Sequence, residues 1–251
     1  MLPSLPVDAV RARLSALPST WHRAVATDAD GTLWAIDVGD ELFLTLAARH
    51  DFRGEARDTL RARARGLLEA VPDDDFELAR ALMRRYAAGE IAIDVMCELQ
   101  AEAVGERTES ELAALYDDVA TRVAAAVRDE VRALLTALVA EAWTVHVVSG
   151  SLGDAVAACL TRADIPFHSV AGARLQRDGA RVRGRLDGEI PLFDGKVRAL
   201  AATGRWPAAL GLGDGGWDVT FLRDAGVPVL VHPKPALAEA LRDHPRAVVL
   251  V

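Results

Sequence analysis

The chain is poor in the residues that mark several large classes of protein. Its 251 residues include only two cysteines, and the net charge is −8. Cys97 and Cys159 show no metal-ligand spacing, so free thiols in a reducing cytosol are favoured over a single disulfide. Because acidic and basic residues are interspersed along the chain, the negative balance argues against nucleic acid or an anionic membrane as the main partner.

Long hydrophobic runs are also missing. No apolar stretch approaches the roughly 20 residues that a membrane-spanning helix requires. Residues 1–23 carry prolines and charges, without the apolar segment that is typical of a signal peptide. We therefore expect a cytoplasmic protein with no membrane partner. The sequence leaves its oligomeric state open, as a monomer or a homodimer.

What the chain does contain is enough apolar material for a large core. Hydrophobic residues make up 51% of it, which suits one large domain or a core domain that carries a smaller one. Strands that alternate with helices predict an α/β fold with a parallel, doubly wound sheet, similar to a Rossmann fold. The apolar runs that predict buried strands are 24–27, 144–148, 208–212, 227–231 and 247–251, and the helices between them are 127–142, 152–163, 196–203 and 218–225.

Two segments interrupt this alternation. Residues 34–125 are too long for one crossover helix and have helical periodicity, so we expect an inserted helical-bundle cap. The predicted domains are a core of 1–35 and 126–251 and a cap of 36–125. Residues 174–189 contain two short alternating stretches around Gly179, which predict a small β-hairpin. The predicted cap helices are 38–50, 55–70, 75–88, 93–104 and 109–124.

The most informative segment is DADGTL, residues 28–33, directly after the first predicted strand. Ligands of open α/β sheets bind outside the carboxyl ends of the strands. The carboxylates of Asp28 and Asp30 can bind a hard cation there, and one of them can serve as a nucleophile. A solvated Asp-Gly turn is the ordinary alternative, but a chance match to this pattern is expected in roughly one chain in a thousand.

Further polar segments follow two other predicted strands. Ser149 and Gly150 stand after 144–148, where a helix N-terminus would suit a phosphate, although a plain N-cap serine explains them equally well. Asp214 and Asp218 follow 208–212 in a glycine-rich turn. Carboxylates crowded beside the first segment would repel one another, and bound Mg²⁺ is the usual remedy. The alternative is an Asp-Gly turn in which Asp218 caps the next helix.

Lys196 stands at the start of a predicted helix, after the hairpin. By itself it would be a solvated surface lysine. Beside several acids and a phosphate, it would be the fixed cation that such a site requires.

The order of these segments, D-x-D-G-T, strand–Ser-Gly, Lys and G-D-G-x-x-D, resembles that of the haloacid dehalogenase (HAD) superfamily. The most similar branch is the one that contains phosphoserine phosphatases. The resemblance extends over about 24–241 and includes the helical insertion, the hairpin and the Lys234-Pro235 pair after the fourth predicted strand.

The resemblance implies a role for each residue. Asp28 would be the nucleophile that forms an aspartyl-phosphate, and it would also bind Mg²⁺. Asp30 would be the general acid and then the general base, with its backbone carbonyl on the metal. The remaining roles would be phosphoryl binding by Ser149, the Gly150 amide and Lys196, and metal binding by Asp214 with Asp218 in support.

The cap departs from the branch at the positions that would select a substrate. The glutamate that reads the amine of phosphoserine is replaced by Asp37, and the later cap helix has no arginine for the carboxylate unless Arg84 or Arg85 substitutes. Asp37 and Glu41 could read a cationic group, although an exposed helix start is slightly preferred. Trp217 stands where asparagine is usual, and packing against the cap is favoured over stacking on a substrate. Arg57, Arg61 and Arg65 are expected to form a solvated face.

The sequence therefore predicts a Mg²⁺-dependent phosphatase of a small phosphorylated metabolite, similar to phosphoserine phosphatase. A phosphorylated amine or amino alcohol is the alternative substrate, and a non-catalytic protein that binds a phosphorylated ligand is the alternative class. Dehalogenase chemistry does not need Asp30, and phosphonate hydrolysis uses a cap lysine, which residues 36–125 lack.

Overall fold

The structure is a computed structural model, and it describes residues 2–251. Its strands are β1 (Ser4–Leu5), β2 (His22–Thr27), β3 (Thr144–Leu152), β4 (Ser169–Ala173), β5 (Leu175–Asp178), β6 (Arg181–Leu186), β7 (Ala208–Gly213), β8 (Val227–Val231) and β9 (Val248–Leu250). Its helices are α1 (Val7–Ser15), α2 (Val38–Ala48), α3 (Gly54–Ala64), α4 (Asp75–Ala87), α5 (Ile93–Ala103), α6 (Glu109–Ala124), α7 (Asp129–Ala140), α8 (Gly153–Arg162), α9 (Asp194–Ala201), α10 (Val219–Asp224) and α11 (Pro235–Leu241).

Seven of the strands form one parallel sheet in the order β1-β9-β8-β7-β2-β3-β4. The chain leaves β2 towards β3 on one side and returns to β7 on the other, so the strand order reverses at β2. Thr27, the last residue of β2, is aligned with Val147 of β3 and Leu212 of β7. The predicted doubly wound sheet is confirmed, and its switch point, where such sheets bind ligands, lies at Asp28.

Four elements were not anticipated: β1, α1, the edge strand β4 and α11. The predicted helix 55–70 ends at Ala64, and the end of the second predicted strand was also wrong. β3 runs on through Leu152, and α8 begins only at Gly153. Ser149 and Gly150 therefore lie on an extended strand end, and the expected helix N-terminus is not at their position.

Five helices, α2–α6, fill the interval between β2 and α7, and β5 and β6 form an antiparallel hairpin. The hairpin contacts the helical segment closely, because a Cβ on Gly184 of β6 would lie 2.9 Å from the backbone of Glu102 in α5. One apolar cluster joins Val25 of β2 to Leu60 of α3 and Leu78 of α4. The helical insertion is confirmed in kind, and its boundaries at 36 and 125 stay a prediction.

The arginines of α3 are not the solvated face that their spacing suggested. The guanidinium of Arg57 lies 2.9 Å from Asp75 Oδ1, and that of Arg61 lies 3.4 Å from the same atom. Asp75 itself is buried at the start of α4. These pairs join α3 to α4, and only Arg65 is exposed as expected.

Two expectations about the whole chain can be compared with the structure. Cys97 and Cys159 are free thiols, as predicted. Within residues 2–251, no helix has both the length and the hydropathy that crossing a bilayer demands.

Removal of the Asp75 carboxylate should destabilise the helical insertion. We expect Asp75→Ala to lower the free energy of unfolding by about 1–3 kcal/mol, because charge-assisted hydrogen bonds from two arginines are lost. Asp73→Ala is the matched control, since Asp73 is fully exposed and 3.6 Å from Arg61; its effect should stay below about 0.5 kcal/mol. Urea unfolding followed by circular dichroism measures both, and equal effects would contradict the assignment.

Candidate active site

The carboxyl ends of β2, β3 and β7 meet at a small cavity of about 50 Å³ beneath α2 and α5. Adjacent parallel strands place the segments that follow them side by side, so residues far apart in sequence converge here. The cavity is lined by Asp28, Asp30, Asp37, Asp40, Tyr86, Ile93, Met96, Cys97, Gln100, Ser149, Gly150, Ser151, Leu192, Lys196, Trp217 and Lys234.

Asp28 is buried at the end of β2, and both of its carboxylate oxygens accept hydrogen bonds. Lys196 Nζ donates to Oδ1 over 2.5 Å, and Thr32 Oγ1 donates to Oδ2 over 2.9 Å. The Asp28 backbone N–H also donates to the Leu212 carbonyl of β7. These contacts hold the carboxylate in one orientation at the sheet switch point.

Lys196 is a buried cation, not a surface lysine. Its side chain is 1% exposed and also donates to Asp218 Oδ1 over 2.6 Å. Although burial disfavours the charge, the carboxylates of Asp218 and Asp28 raise the pKa of Lys196 above its ordinary value. The ammonium is therefore a permanent positive charge beside Asp28.

Asp28, Asp214 and Asp218 form a crowded acidic cluster in which one carboxylate oxygen of each lies within 4.8 Å of the others. Burial and the charge of Asp28 raise the pKa of Asp214 to about 6 and that of Asp218 to about 7. Asp218 Oδ2 accepts from the backbone N–H groups of Asp214 and Gly215. It therefore braces the turn after β7. As the alternative expected, Asp218 stands at the N-cap position of α10, but its side chain makes no hydrogen bond to that helix.

The cluster fits a divalent cation on its own chemistry. Asp214 Oδ1 is buried and finds no hydrogen-bond partner within the part of the chain that the structure describes. A buried carboxylate oxygen without a donor is costly unless a cation binds it. Carboxylate oxygens are ligands that suit Mg²⁺, whose remaining positions are usually filled by water and substrate phosphate.

Asp30 receives donors on both of its oxygens. Oδ1 accepts from Trp34 Nε1 at 3.0 Å and from the Val38 N–H at 2.9 Å. Oδ2 accepts from Ser149 Oγ at 2.9 Å and from Ser151 Oγ at 2.8 Å. Burial and the charge of Asp28 raise the pKa of Asp30 despite these donors.

Gly150 lies where the end of β3 approaches Leu192 and α5. A Cβ at this position would lie 2.9 Å from Leu192 Cδ2 and 3.7 Å from Cys97 Sγ of α5. The neighbouring Ser149 Oγ accepts from the Ser151 N–H over 3.0 Å. The Ser149 hydroxyl and the Gly150 backbone therefore line the cavity, close to Leu192 and Cys97.

On the side of the helical insertion, two carboxylates at the start of α2 line the cavity. Asp37 caps α2 by accepting from the Asp40 N–H, and Asp40 accepts from Gln100 Nε2 over 2.8 Å. Burial and nearby carboxylates raise the pKa of Asp37 well above its ordinary value and that of Asp40 to about 7. Glu41 points away and pairs with Arg122 at 2.9 Å. The expectation that Glu41 lies on the substrate side is therefore wrong.

Neither arginine that could have replaced the missing carboxylate reader lines the cavity. Arg84 is exposed, and Arg85 pairs with Glu90 at 2.6 Å. Lys234 is a second cationic side chain that lines the cavity. Its Nζ lies 2.9 Å from Asp214 Oδ2 and 4.8 Å from the ring centre of Trp217. Trp217 lines the cavity beneath this ammonium.

Several lining residues have no role assigned from the sequence, and three of them, Lys234, Ser151 and Asp40, bring charges or a hydroxyl to the cavity. In the sequence, Lys234 stands out only as part of the Lys-Pro pair, although it follows β8, which pairs with β7. Ser151 falls in the same strand end as Ser149, at the spacing that puts both side chains on one face. Asp40 stands one helical turn after Asp37, so helical periodicity was the available signal.

Comparisons with known proteins agree with this geometry. A sequence profile of the haloacid dehalogenase-like hydrolases matches residues 25–223. A phosphoserine phosphatase of Halobacterium salinarum is 32% identical over 212 residues, which cover 80% of this chain and 92% of that one.

Solved structures share the fold at lower identity. A protein of unknown function from Bordetella pertussis Tohama I has a TM-score of 0.72 at 20% identity, over 92% of this chain and 99% of that one. A substrate-bound phosphoserine phosphatase has a TM-score of 0.59 at 15% identity, over 92% and 94% of the two chains. The chain belongs to the haloacid dehalogenase-like hydrolases, as one of their phosphatases in the phosphoserine-phosphatase-like branch.

Proposed function

We propose that the chain is a cytoplasmic, Mg²⁺-dependent phosphatase that hydrolyses a small phosphomonoester through a phosphorylated Asp28. The observation that carries the proposal is the arrangement around Asp28: a buried ammonium on one side and an unpaired Asp214 oxygen on the other. A nucleophilic carboxylate and an anionic phosphate can meet only where positive charge offsets their repulsion. Lys196 would supply one such charge, and a cation bound at the unpaired Asp214 oxygen would supply another.

The metal would be held by the side chains of Asp28 and Asp214 and by the backbone carbonyl of Asp30. Asp218 would support it indirectly, because it braces the Asp214 turn and Lys196. When bound, Mg²⁺ supplies charge that offsets the repulsion between carboxylate and phosphate.

The reaction would proceed through two successive displacements at phosphorus. Asp28 attacks phosphorus and the ester P–O bond breaks, while Asp30 gives its proton to the departing alkoxide. Asp30 then takes a proton from water as the water oxygen attacks phosphorus, which releases phosphate and restores Asp28. Lys196, Ser149 and the Gly150 N–H would hold the phosphoryl oxygens throughout.

A phosphorylated amine or amino alcohol is the substrate class that the cap side of the cavity favours. Asp37 and Asp40 face the cavity without a cationic partner within 4.0 Å among residues 2–251. An ammonium group on the substrate would supply that partner. Phosphoserine would also bring a carboxylate, for which no arginine lines the cavity within the same residues.

Removal of the nucleophile should abolish turnover. We expect Asp28→Asn to lower kcat for para-nitrophenyl phosphate by roughly a thousandfold or more, as removal of other enzyme nucleophiles does. Asp8→Asn is the control, because Asp8 is exposed and distant from the cavity. Equal rates for wild type and Asp28→Asn under every divalent cation tested would refute the phosphatase mechanism.

Asp214 should be required for metal binding independently of turnover. We expect saturating Mg²⁺ to raise the Tm of the wild type, because a ligand at a hundredfold its Kd adds about 2.7 kcal/mol to stability. Asp214→Asn should lose most of that shift, and the exposed Asp187→Asn should keep it. Calorimetric scans with Mg²⁺ and with EDTA measure the difference, and an unchanged shift in Asp214→Asn would place the metal elsewhere.

The cap carboxylates should discriminate in favour of an ammonium group. We expect Asp37→Asn and Asp40→Asn to lower the kcat/KM ratio of phosphoethanolamine over glycerol phosphate by about tenfold, since each loses a charge-assisted hydrogen bond. Asparagine keeps the capping ability of Asp37. Glu41→Gln is the matched control, because Glu41 contacts Arg122 instead of the cavity. A ratio that stays constant in both aspartate variants would exclude an amine substrate.

A further inference from the structure

Trp34 is a buried residue that the mechanism above does not use. It follows the DADGTL segment, its side chain is fully buried, and its indole N–H points at Asp30 Oδ1 over 3.0 Å. The backbone on both sides is tied down, because Leu33 N–H donates to Ala29 and Ala35 N–H donates to Ala126. The indole is therefore held in one place relative to Asp30.

The donors around Asp30 differ in kind between its two oxygens. Oδ1 faces the indole N–H of Trp34 and the backbone N–H of Val38, which can donate and cannot accept. Oδ2 faces the hydroxyls of Ser149 and Ser151. A hydroxyl can rotate, so it can accept a hydrogen bond as readily as it donates one.

This asymmetry determines where a proton on Asp30 can reside. A proton on Oδ1 would confront two N–H groups that have no lone pair to offer. A protonated Oδ2 can donate a hydrogen bond to either serine hydroxyl. These hydroxyls lie on the side of the cavity where the phosphoryl group would be bound.

We propose that Trp34 is a positioning residue that directs the acid–base chemistry of Asp30 to its Oδ2 atom. The inference rests on the proposed function, in which Asp30 is the general acid. The proton passes from Oδ2 to the ester oxygen as the P–O bond breaks, and the electron pair of that bond stays on the alcohol. The carboxylate that remains keeps its orientation because Trp34 and Val38 still donate to Oδ1.

The leaving group separates this role from a merely structural one. An aliphatic alkoxide needs a proton in order to leave, whereas para-nitrophenolate leaves without one. We expect Trp34→Phe to lower kcat/KM for an aliphatic ester roughly tenfold or more, and for para-nitrophenyl phosphate less than about threefold. The aliphatic probe is phosphoethanolamine or phosphoserine, whichever the wild type hydrolyses faster. The parameter kcat/KM is chosen because it excludes the later hydrolysis of phospho-Asp28.

The chain offers a matched control in Trp143. It is largely buried, and its indole nitrogen has no hydrogen-bond partner among the residues described. Trp143→Phe should leave the ratio of the two kcat/KM values unchanged. The ratio does not depend on the amount of active enzyme, so partial misfolding cancels. If Trp34→Phe does not fold, benzothienylalanine at position 34 retains the ring shape without the N–H and gives the same comparison.

Each outcome bears on one statement. A selective loss for the aliphatic ester in Trp34→Phe, absent from Trp143→Phe, supports the proposal. Equal losses on both esters, no loss, or the same selective loss in Trp143→Phe would overturn it. Asp30→Asn tests the underlying function separately: if that variant shows no selective loss for the aliphatic ester, Asp30 is not the general acid and the proposed mechanism itself fails.

Discussion

The structure depends on how negative charge is balanced at the carboxyl ends of β2 and β7. Asp28, Asp214 and Asp218 are buried within a few ångströms of one another, and Lys196 bridges two of them. A buried carboxylate without a partner is strongly disfavoured, so this lysine is necessary to the fold of the site. Lys234 pairs with one oxygen of Asp214, and the other oxygen is buried without a partner among residues 2–251.

This concentration of charge requires the backbone to approach the acids closely. Gly31 has a φ of +81°, and a Cβ at that position would lie 2.1 Å from Asp214 Oδ2. No side chain could be accommodated, because both the conformation and the space exclude it. Glycine at this position is therefore what allows the turn after β2 to lie against the turn after β7.

Much of the core could be predicted from local patterns. The apolar runs of β2, β3, β7 and β8 are buried on both faces, which is why they read as continuous hydrophobic segments. The edge strand β4 was missed because it is half exposed and built from small residues. The true end of β3 was missed because Ser149 and Gly150 look like a helix start. In the structure they fall in a register shift of β3 against β4, between the aligned residues Val148 and Leu152.

The sequence by itself determined where the candidate site lies: Asp28, Asp30 and Asp214 follow strands closely, and the carboxyl ends of parallel strands meet at one edge of the sheet. Only the tertiary structure decided which charged residues share the cavity, because side-chain direction depends on packing between distant elements. It turned Glu41 towards Arg122, brought Asp40 and Lys234 to the cavity, and left Asp37 and Asp40 without an arginine partner among residues 2–251. The same packing placed the indole N–H of Trp34 against Oδ1 of Asp30. No local sequence pattern predicts that contact.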